Sequence, residues 1–284
     1  MTHSKPIVLI PSEPNRADGH PVTYAEDTHP FARPDKMLDL LLSTQAYRSD
    51  DKCSPNEFCI EEELAWISEF RNSNSLASED CRRAMRLAYH SGYLLMIAND
   101  QAIPHEKKLL DALVRVCNSV VPTSTLQRLL ISCEIPMLLL GFRAENSPRV
   151  APWETIVDRL GSICDEAFDG EGMMASSELS DFAEVLASLA RMIQLANLVN
   201  PGVRLPNGIL HQFQWAVRQL LLIYFADGLL LGGQPRQLGD DLIAVLLKLG
   251  GDPSDVRLAR HLGLLWDSEG AFAAELAIGA KRPQ

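Results

Sequence analysis

Side chains that could bind a ligand or transfer a proton are concentrated in residues 206–233. His211, Trp215 and Arg218 are three or four residues apart, so a helix places them on one face. Together they supply a titratable ring, an aromatic surface and a positive charge. A carbohydrate site uses such groups, because it needs an aromatic platform, hydrogen-bonding edges and an acid or base. A core helix that carries aromatic residues has the same composition, and both interpretations stay open.

The same stretch has an apolar pattern with helical spacing. The residues that form it are Leu210, Phe213, Val217, Leu220, Leu221 and Tyr224. An Asp-Gly pair at 227–228 breaks the pattern, and three leucines at 229–231 then lead to two glycines. The pattern predicts a buried helix that ends in a tight turn, with the region around Leu229 as the single segment compatible with a strand.

A second candidate group lies at residues 89–93, where the sequence is Tyr-His-Ser-Gly-Tyr. Tyr89 and Tyr93 are one helical turn apart, and His90 points to a different face. An isolated histidine is more often a hydrogen-bonded, partly buried ring than an acid or base, so the structural interpretation is favoured for His90.

Motifs for nucleotide binding, serine hydrolysis and zinc proteolysis are absent from the sequence. The six cysteines form no C-x-x-C pair and have no histidine at zinc-finger spacing. Four of them, Cys81, Cys117, Cys133 and Cys164, are in phase with apolar residues and are expected to be small buried hydrophobes in a reducing compartment. Asp169 and Glu171 alternate with two turn glycines and lack the ligand spacing of a calcium loop. We therefore expect neither a metal nor a cofactor.

The charge balance argues against nucleic-acid and membrane partners. The formal net charge of −11 repels phosphates and anionic lipid. The basic clusters are Arg82, Arg83 and Arg86, and Lys107 and Lys108. Acidic residues interrupt both clusters, which favours solvated helix faces over a binding patch. The first apolar run has four residues and is too short for a signal peptide or membrane span, so we expect a cytoplasmic protein.

The chain pattern predicts an all-α fold. Residues 1–34 contain six prolines, which predicts an extended arm. The pattern of residues 35–284 predicts a single helical domain. A Ser-Pro-Asn-Glu stretch at 54–57 has the features of a helix start, and Pro136 is expected to bend or end a helix. About ten helices joined by short turns predict antiparallel hairpins stacked into an incomplete α/α toroid or a curved solenoid.

Three segments together resemble the helical domain of heparinase II/III-type proteins. They are FDGEGM at 168–173, the predicted helix at 179–196, and HQFQWAVRQLLLIYFADGLLLGG at 211–233. In that family an incomplete α/α toroid precedes a large antiparallel β-sandwich. The similarity covers about residues 56–265.

The resemblance implies β-elimination on uronate-containing polysaccharides, with tyrosine and histidine as proton-transfer groups and Asn, His or Arg neutralising the carboxylate. By residue type and position, His211, Arg218 and Tyr224 are the candidates for these roles, with Trp215 beside them as a platform. The chain departs from the family because no β-sandwich follows the helices, no export signal is visible, and the acidic composition disfavours a sulfated polyanion.

Three functional hypotheses follow. The leading one is a heparinase-like helical domain without full lyase machinery, which binds a saccharide or a partner in its concave face. Its alternative is a cytoplasmic helical scaffold for protein interactions with no saccharide site. An active polysaccharide lyase ranks third.

Overall fold

The computed structural model of the chain describes residues 7–8, 34–46, 57–58, 60–69, 76–97, 103–141, 150–199, 205–223, 238 and 241–262. Helices account for most of these residues, and the predicted all-α class is confirmed. The α-helices are α1 (Pro34–Ser43), α2 (Ile60–Glu69), α3 (Ser78–Ile97), α4 (Ile103–Ser119), α5 (Thr125–Leu129), α6 (Ile135–Gly141), α7 (Trp153–Ala167), α8 (Phe182–Val199), α9 (Asn207–Ile223), α10 (Leu242–Gly250) and α11 (Pro253–His261). Within the described ranges, no helix is long and apolar enough to cross a membrane.

The most deeply buried helix is α8. Its buried residues lie on all sides and include Phe182, Val185, Leu189 and Met192. It packs against α5, α6, α9 and α10, so each of these helices covers part of its circumference. A helix that is apolar all round belongs in a protein interior. The core is therefore built around α8, whereas α9, which the apolar pattern predicts to be buried, covers one side of it.

One pair of short strands lies outside the predicted helical pattern. Strand β1 (Ile7–Val8) pairs antiparallel with β2 (Glu57–Phe58), with Ile7 opposite Phe58. The helix start predicted at 54–57 is therefore wrong, because α2 begins only at Ile60. The local capping signal is overridden by pairing with a segment about fifty residues away, a tertiary contact that local propensity does not encode.

Pro136 does not end its helix. A π-helical turn, Leu130–Glu134, joins α5 to α6, and the backbone N–H of Ile135 donates to the Leu130 carbonyl. Proline lacks a backbone N–H and crowds the carbonyl four residues earlier. The wider π turn directly before Pro136 accommodates both effects, and the helical path continues from α5 to Gly141.

The π turn also places Glu134 in the middle of a buried polar network. Glu134 is fully buried and pairs with Arg191 of α8, whose guanidinium nitrogens Nε and Nη2 both donate to its carboxylate. The hydroxyls of Tyr89 and Ser188 donate to the same carboxylate. Arg191 Nη1 donates to the Thr44 carbonyl at 3.2 Å, just after α1. The network thus ties α1, α3, the π turn and α8 to one buried charge pair.

The arginine cluster on α3 makes ion pairs between elements. Arg82 pairs with Glu184 on α8 and with Asp181 in the 3₁₀ turn Ser176–Asp181. Arg83 forms an ion pair with Glu63 of α2 at 2.8 Å and stacks on Trp66 at 4.4 Å. The sequence interpretation of a solvated face is corrected for Arg82 and Arg83, because these two cations join α3 to its neighbours, whereas Arg86 is exposed and pairs with Glu79 of the same helix.

We predict that substitutions of Glu134 and Arg191 have strongly coupled effects on the free energy of unfolding. Arg191→Met leaves a buried carboxylate without its cation and should lower the unfolding free energy by about 3–5 kcal/mol. Glu134→Gln should cost a similar amount, whereas the double variant should cost much less than the sum of the two. Urea denaturation measures all three, with Arg115→Met on the exposed side of α4 as the control. Additive costs would contradict the pairing.

The pH dependence of stability should report on Tyr89. Burial, together with the Glu134 carboxylate, raises the pKa of Tyr89 well above 10. The unfolded chain then loses its proton first, so the contribution of Tyr89 is complete below pH 10 and declines as the pH rises further, by up to ~1.4 kcal/mol per pH unit. In thermal unfolding between pH 9 and 12, the wild type should lose stability more steeply than Tyr89→Phe. Parallel curves would contradict this assignment.

Candidate functional site

The helix α9 carries three of the four predicted site residues and has two distinct sides. Its buried side consists of Ile209, Phe213, Ala216, Val217, Leu220 and Leu221. His211 is exposed on the other side, where Trp215 is 48% exposed and Leu222 is 55% exposed. The prediction of a buried helix is therefore only half right, since α9 is amphipathic. Tyr224 and the predicted turn and leucine run at 227–233 lie outside the described residues.

The solvent side of α9 presents a continuous row of large side chains. His211, Trp215, Arg218 and Leu222 follow one another at spacings of four, three and four residues, and we call this row the α9 stripe. Such spacing keeps side chains in line along a helix. The Arg218 guanidinium carbon lies 5.8 Å from the centre of the Trp215 ring. The structure thus places His211, Trp215 and Arg218 on consecutive turns, as their spacing predicts.

The charge of Arg218 is already balanced within the protein. Its Nε donates to Asp255 at 2.9 Å, and its Nη2 donates to Asp252 at 2.7 Å. The hydrogen bond that Arg218 donates to Asp255, together with the charges of both carboxylates, raises the pKa of Arg218. Asp255 has a nearly buried side chain, so removal of the guanidinium would strand a carboxylate. Arg218 therefore joins α9 to α11.

The partner of Arg218 is the amino-terminal cap of α11. Asp252 accepts hydrogen bonds from the backbone amides of Ser254 and Asp255, and Asp255 accepts from the Asp252 amide. These hydrogen bonds form a capping box, with Pro253 in the first helical turn. Partial burial acts to raise the pKa of Asp252, but hydrogen bonds from Ser254 and the Asp255 amide outweigh it and lower that pKa.

The loop at residues 168–174 holds α9 from the other direction. Phe168 and Met174 form an antiparallel bridge that closes the loop, and Asp169 Oδ1 accepts from the amides of Glu171 and Met173. The side-chain amide Nε2 of Gln219, on α9, donates to the backbone carbonyl of Glu171 at 3.2 Å. The Asp-Gly-Glu-Gly sequence thus forms the turn that its glycines predict, and in the described part of the chain no group of three metal-binding side chains occurs.

Gly172 sets the distance between this loop and α9. Its φ of +85° lies in the left-handed region. A Cβ at this position would come within 2.3 Å of the Ala216 nitrogen and 2.4 Å of the Trp215 carbonyl carbon. The loop therefore touches the backbone of α9 directly beneath Trp215, and only glycine permits that approach.

The second candidate group turns out to be structural. Tyr89 is fully buried and donates to Glu134, so its hydroxyl faces the core. His90 is partly buried, and desolvation, followed by the charge of Arg86, lowers its pKa. The side chain of Tyr93 lies outside the described residues. The sequence analysis did not predict the buried polar network around Glu134. The signal for it was a charged residue within an apolar segment, as at Glu134 and Arg191.

The cysteines of the described ranges are free thiols with little nucleophilic character. Cys81, Cys133 and Cys164 are buried, as their helical phase predicts, whereas Cys117 is only partly buried. Burial raises the pKa of Cys81 to about 11 and those of Cys133 and Cys164 to about 12. Thiolates, the reactive form, are therefore scarce at neutral pH at these three positions.

Comparisons with known proteins give no relative for this chain: no family model, no curated protein and no solved structure matches it. The functional interpretation consequently rests on the geometry of the molecule.

The glycine loop supplies a matched pair of test substitutions. Gly170 and Gly172 both have positive φ, but a Cβ on Gly170 meets nothing within 4 Å. Gly170→Ala should cost about 1–2 kcal/mol from backbone strain alone. Gly172→Ala should cost at least ~2 kcal/mol more, because the methyl group overlaps the α9 backbone. Urea denaturation compares them, and equal losses would show that the loop does not press on α9.

Proposed function

We propose that this protein is a non-catalytic helical binding module that recognises a protein partner through the α9 stripe. The observation that carries the proposal is the pair Trp215 and Leu222, two half-exposed apolar side chains two turns apart on one helix. Tryptophan in particular is enriched among residues that dominate binding energy at protein interfaces. A partner helix or an apolar groove matches the linear shape of such a row.

Rigid support beneath the stripe favours a binding role. The loop at 168–174 touches α9 at Trp215 and Ala216, and Arg218 links it to the cap of α11. Both contacts hold the stripe before any partner arrives, which lowers the conformational entropy lost on binding. The Arg218 guanidinium near the Trp215 ring also restricts that side chain.

The electrostatics of the site disfavour a uronate substrate. A lyase needs a positive group to neutralise the substrate carboxylate, yet Arg218 is paired with Asp252 and Asp255. The exposed Asp169 and Glu171 side chains on the neighbouring loop add negative charge. An acidic polysaccharide would meet repulsion here, whereas a protein segment with apolar and basic residues would not.

The proposal also includes the arrangement of the helices, the family relationship and the cellular location. Successive helices pack together at α8 and α9, α9 and α10, and α10 and α11, whereas α1 packs against α3, α2 against α4 and α6 against α8. The packing of α8 to α11 supports our proposal of stacked hairpins in an incomplete toroid or curved solenoid, and with it a relationship to the helical domain of heparinase II/III-type proteins. The free buried thiols support a reducing, cytoplasmic location.

A neutral saccharide is the second candidate ligand. The observation that favours it is the half-exposed Trp215 ring with the exposed His211 one turn away. Sugar rings stack on such an indole, and the imidazole offers a hydrogen-bonding edge. Neither contact requires a free positive charge.

The proposal predicts a partner whose binding depends on the stripe. The variant Trp215→Ala/Leu222→Ala should retain its fold, because both side chains are half exposed. Quantitative cross-linking in cells should then identify a protein that is captured by the wild type and depleted at least tenfold with the variant. Titration of that purified protein should show a dissociation constant weaker by roughly 30-fold, as expected for loss of a central anchor.

The control variant is Leu42→Ala/Val121→Ala, which removes two exposed apolar side chains from other surfaces. It should bind the partner like the wild type. Calorimetry with neutral and uronate oligosaccharides tests the alternative on the same proteins. Saccharide binding that disappears with the stripe variant, without any stripe-dependent protein partner, would replace the protein-binding proposal.

A further inference from the structure

The α9 stripe has the spacing of a seam between two helices. Its residues, His211, Trp215, Arg218 and Leu222, are separated by four, three and four positions. Alternation of three and four is the spacing at which a second helix, running alongside the first, inserts its side chains. Trp215 and Leu222 occupy equivalent heptad positions, about 10 Å apart along the helix axis. The shape of the stripe therefore favours a helix over an extended strand as the bound segment.

Two different elements border the stripe. Ala216 and Gln219 of α9 contact the loop at 168–174, whereas Arg218 contacts the cap of α11. At about 3.6 residues per turn, Ala216 and Gln219 project to one side of Trp215, and Arg218 projects to the other. A helix bound along the stripe thus has the loop at one edge and the start of α11 at the other.

The edge formed by the loop is acidic. The side chains of Asp169 and Glu171 are exposed, and neither forms an ion pair with any residue that the structure describes. Asp169 accepts two backbone amide hydrogen bonds, which hold its carboxylate in place but do not neutralise its charge. The carbonyl of Glu171 accepts from Gln219, so this negative charge is tied directly to α9.

The opposite edge has no comparable excess of negative charge. Arg218 offsets one of the two carboxylates in the cap of α11, Asp252 and Asp255. Arg257, on the exposed side of α11, supplies a further positive charge. The charge that a partner can complement is therefore concentrated on the loop edge, and the net charge of −11 attracts a basic partner from a distance.

We propose that the segment bound by the α9 stripe is a basic amphipathic helix. Its apolar residues, seven positions apart, pack on Trp215 and Leu222, and its lysine or arginine side chains lie along the edge that carries Asp169 and Glu171. Long basic side chains suit this edge, because their aliphatic stems cover apolar surface while the charged ends reach the carboxylates. The inference rests on the proposed function, since it names the chemistry of the partner at the same surface.

Fluorescence anisotropy with the full chain tests the inference with three labelled peptides of about three heptads each. All three carry leucine at heptad positions a and d, and they differ only at e and g, which hold lysine, glutamine or glutamate. The lysine peptide should bind saturably, roughly tenfold more tightly than the glutamine peptide, and the glutamate peptide should bind most weakly. An increase from about 50 to about 300 mM NaCl should weaken binding of the lysine peptide, because salt screens exposed charges.

An edge variant assigns the selectivity to the loop. Asp169→Asn/Glu171→Gln removes two charges and keeps an amide oxygen that can accept the loop hydrogen bonds. It should weaken binding of the lysine peptide roughly fivefold and reduce the salt dependence. The matched control is Asp111→Asn/Glu154→Gln, which removes the same charge from exposed positions on α4 and at the start of α7. The control should bind like the wild type, and thermal unfolding confirms that both variants are folded.

The stripe variant Trp215→Ala/Leu222→Ala should weaken binding of the lysine peptide roughly 30-fold. The inference is overturned if no peptide binds saturably, if the edge variant binds like its control, or if the stripe variant keeps full affinity. Tight binding of the glutamine or glutamate peptide that is lost in the stripe variant would refute the basic partner and leave the protein-binding function standing. The cross-linking experiment decides that function separately.

Discussion

The ion pair between Glu134 and Arg191 is the interaction on which the rest of this structure depends. Two buried charges in the core are costly to desolvate, and they are tolerated because every donor and acceptor around the carboxylate is used. Those donors come from α3 and α8, while the carboxylate lies in the π turn that precedes Pro136. The same arginine reaches the end of α1. One polar cluster therefore joins four segments of the chain.

A second set of constraints acts at the surface. Arg218 spans from α9 to the cap of α11, and Gly172 lets the loop at 168–174 contact the α9 backbone. Both contacts hold α9 against its neighbours. The apolar side of α9, with Phe213, Val217 and Leu220, is buried in the core, and this leaves Trp215 and Leu222 exposed on the opposite side.

At the α9 stripe the charge of Arg218 is balanced by Asp252 and Asp255, so specificity there comes from the arrangement of side chains instead of from net charge. This suits a chain of net charge −11, whose long-range field would otherwise favour any cation. The sequence has no motif for nucleotide binding, serine hydrolysis or zinc proteolysis. Burial raises the pKa of the Cys81, Cys133 and Cys164 thiols, which keeps them protonated at neutral pH.

Some features depend only on residues within a few positions of one another, and the sequence by itself determined these. They are the helical class, the alignment of His211, Trp215 and Arg218 on one helix face, the glycine turn at 168–173 and the capping box of α11. Tertiary structure alone decided that α8 is the central helix and that residues 57–58 pair with β1. It also decided that the helix continues through Pro136 and that Asp252 and Asp255, thirty-four and thirty-seven residues away, neutralise Arg218. Those outcomes depend on contacts between distant segments. Local periodicity records which face of a helix is apolar, but it does not record what that face meets.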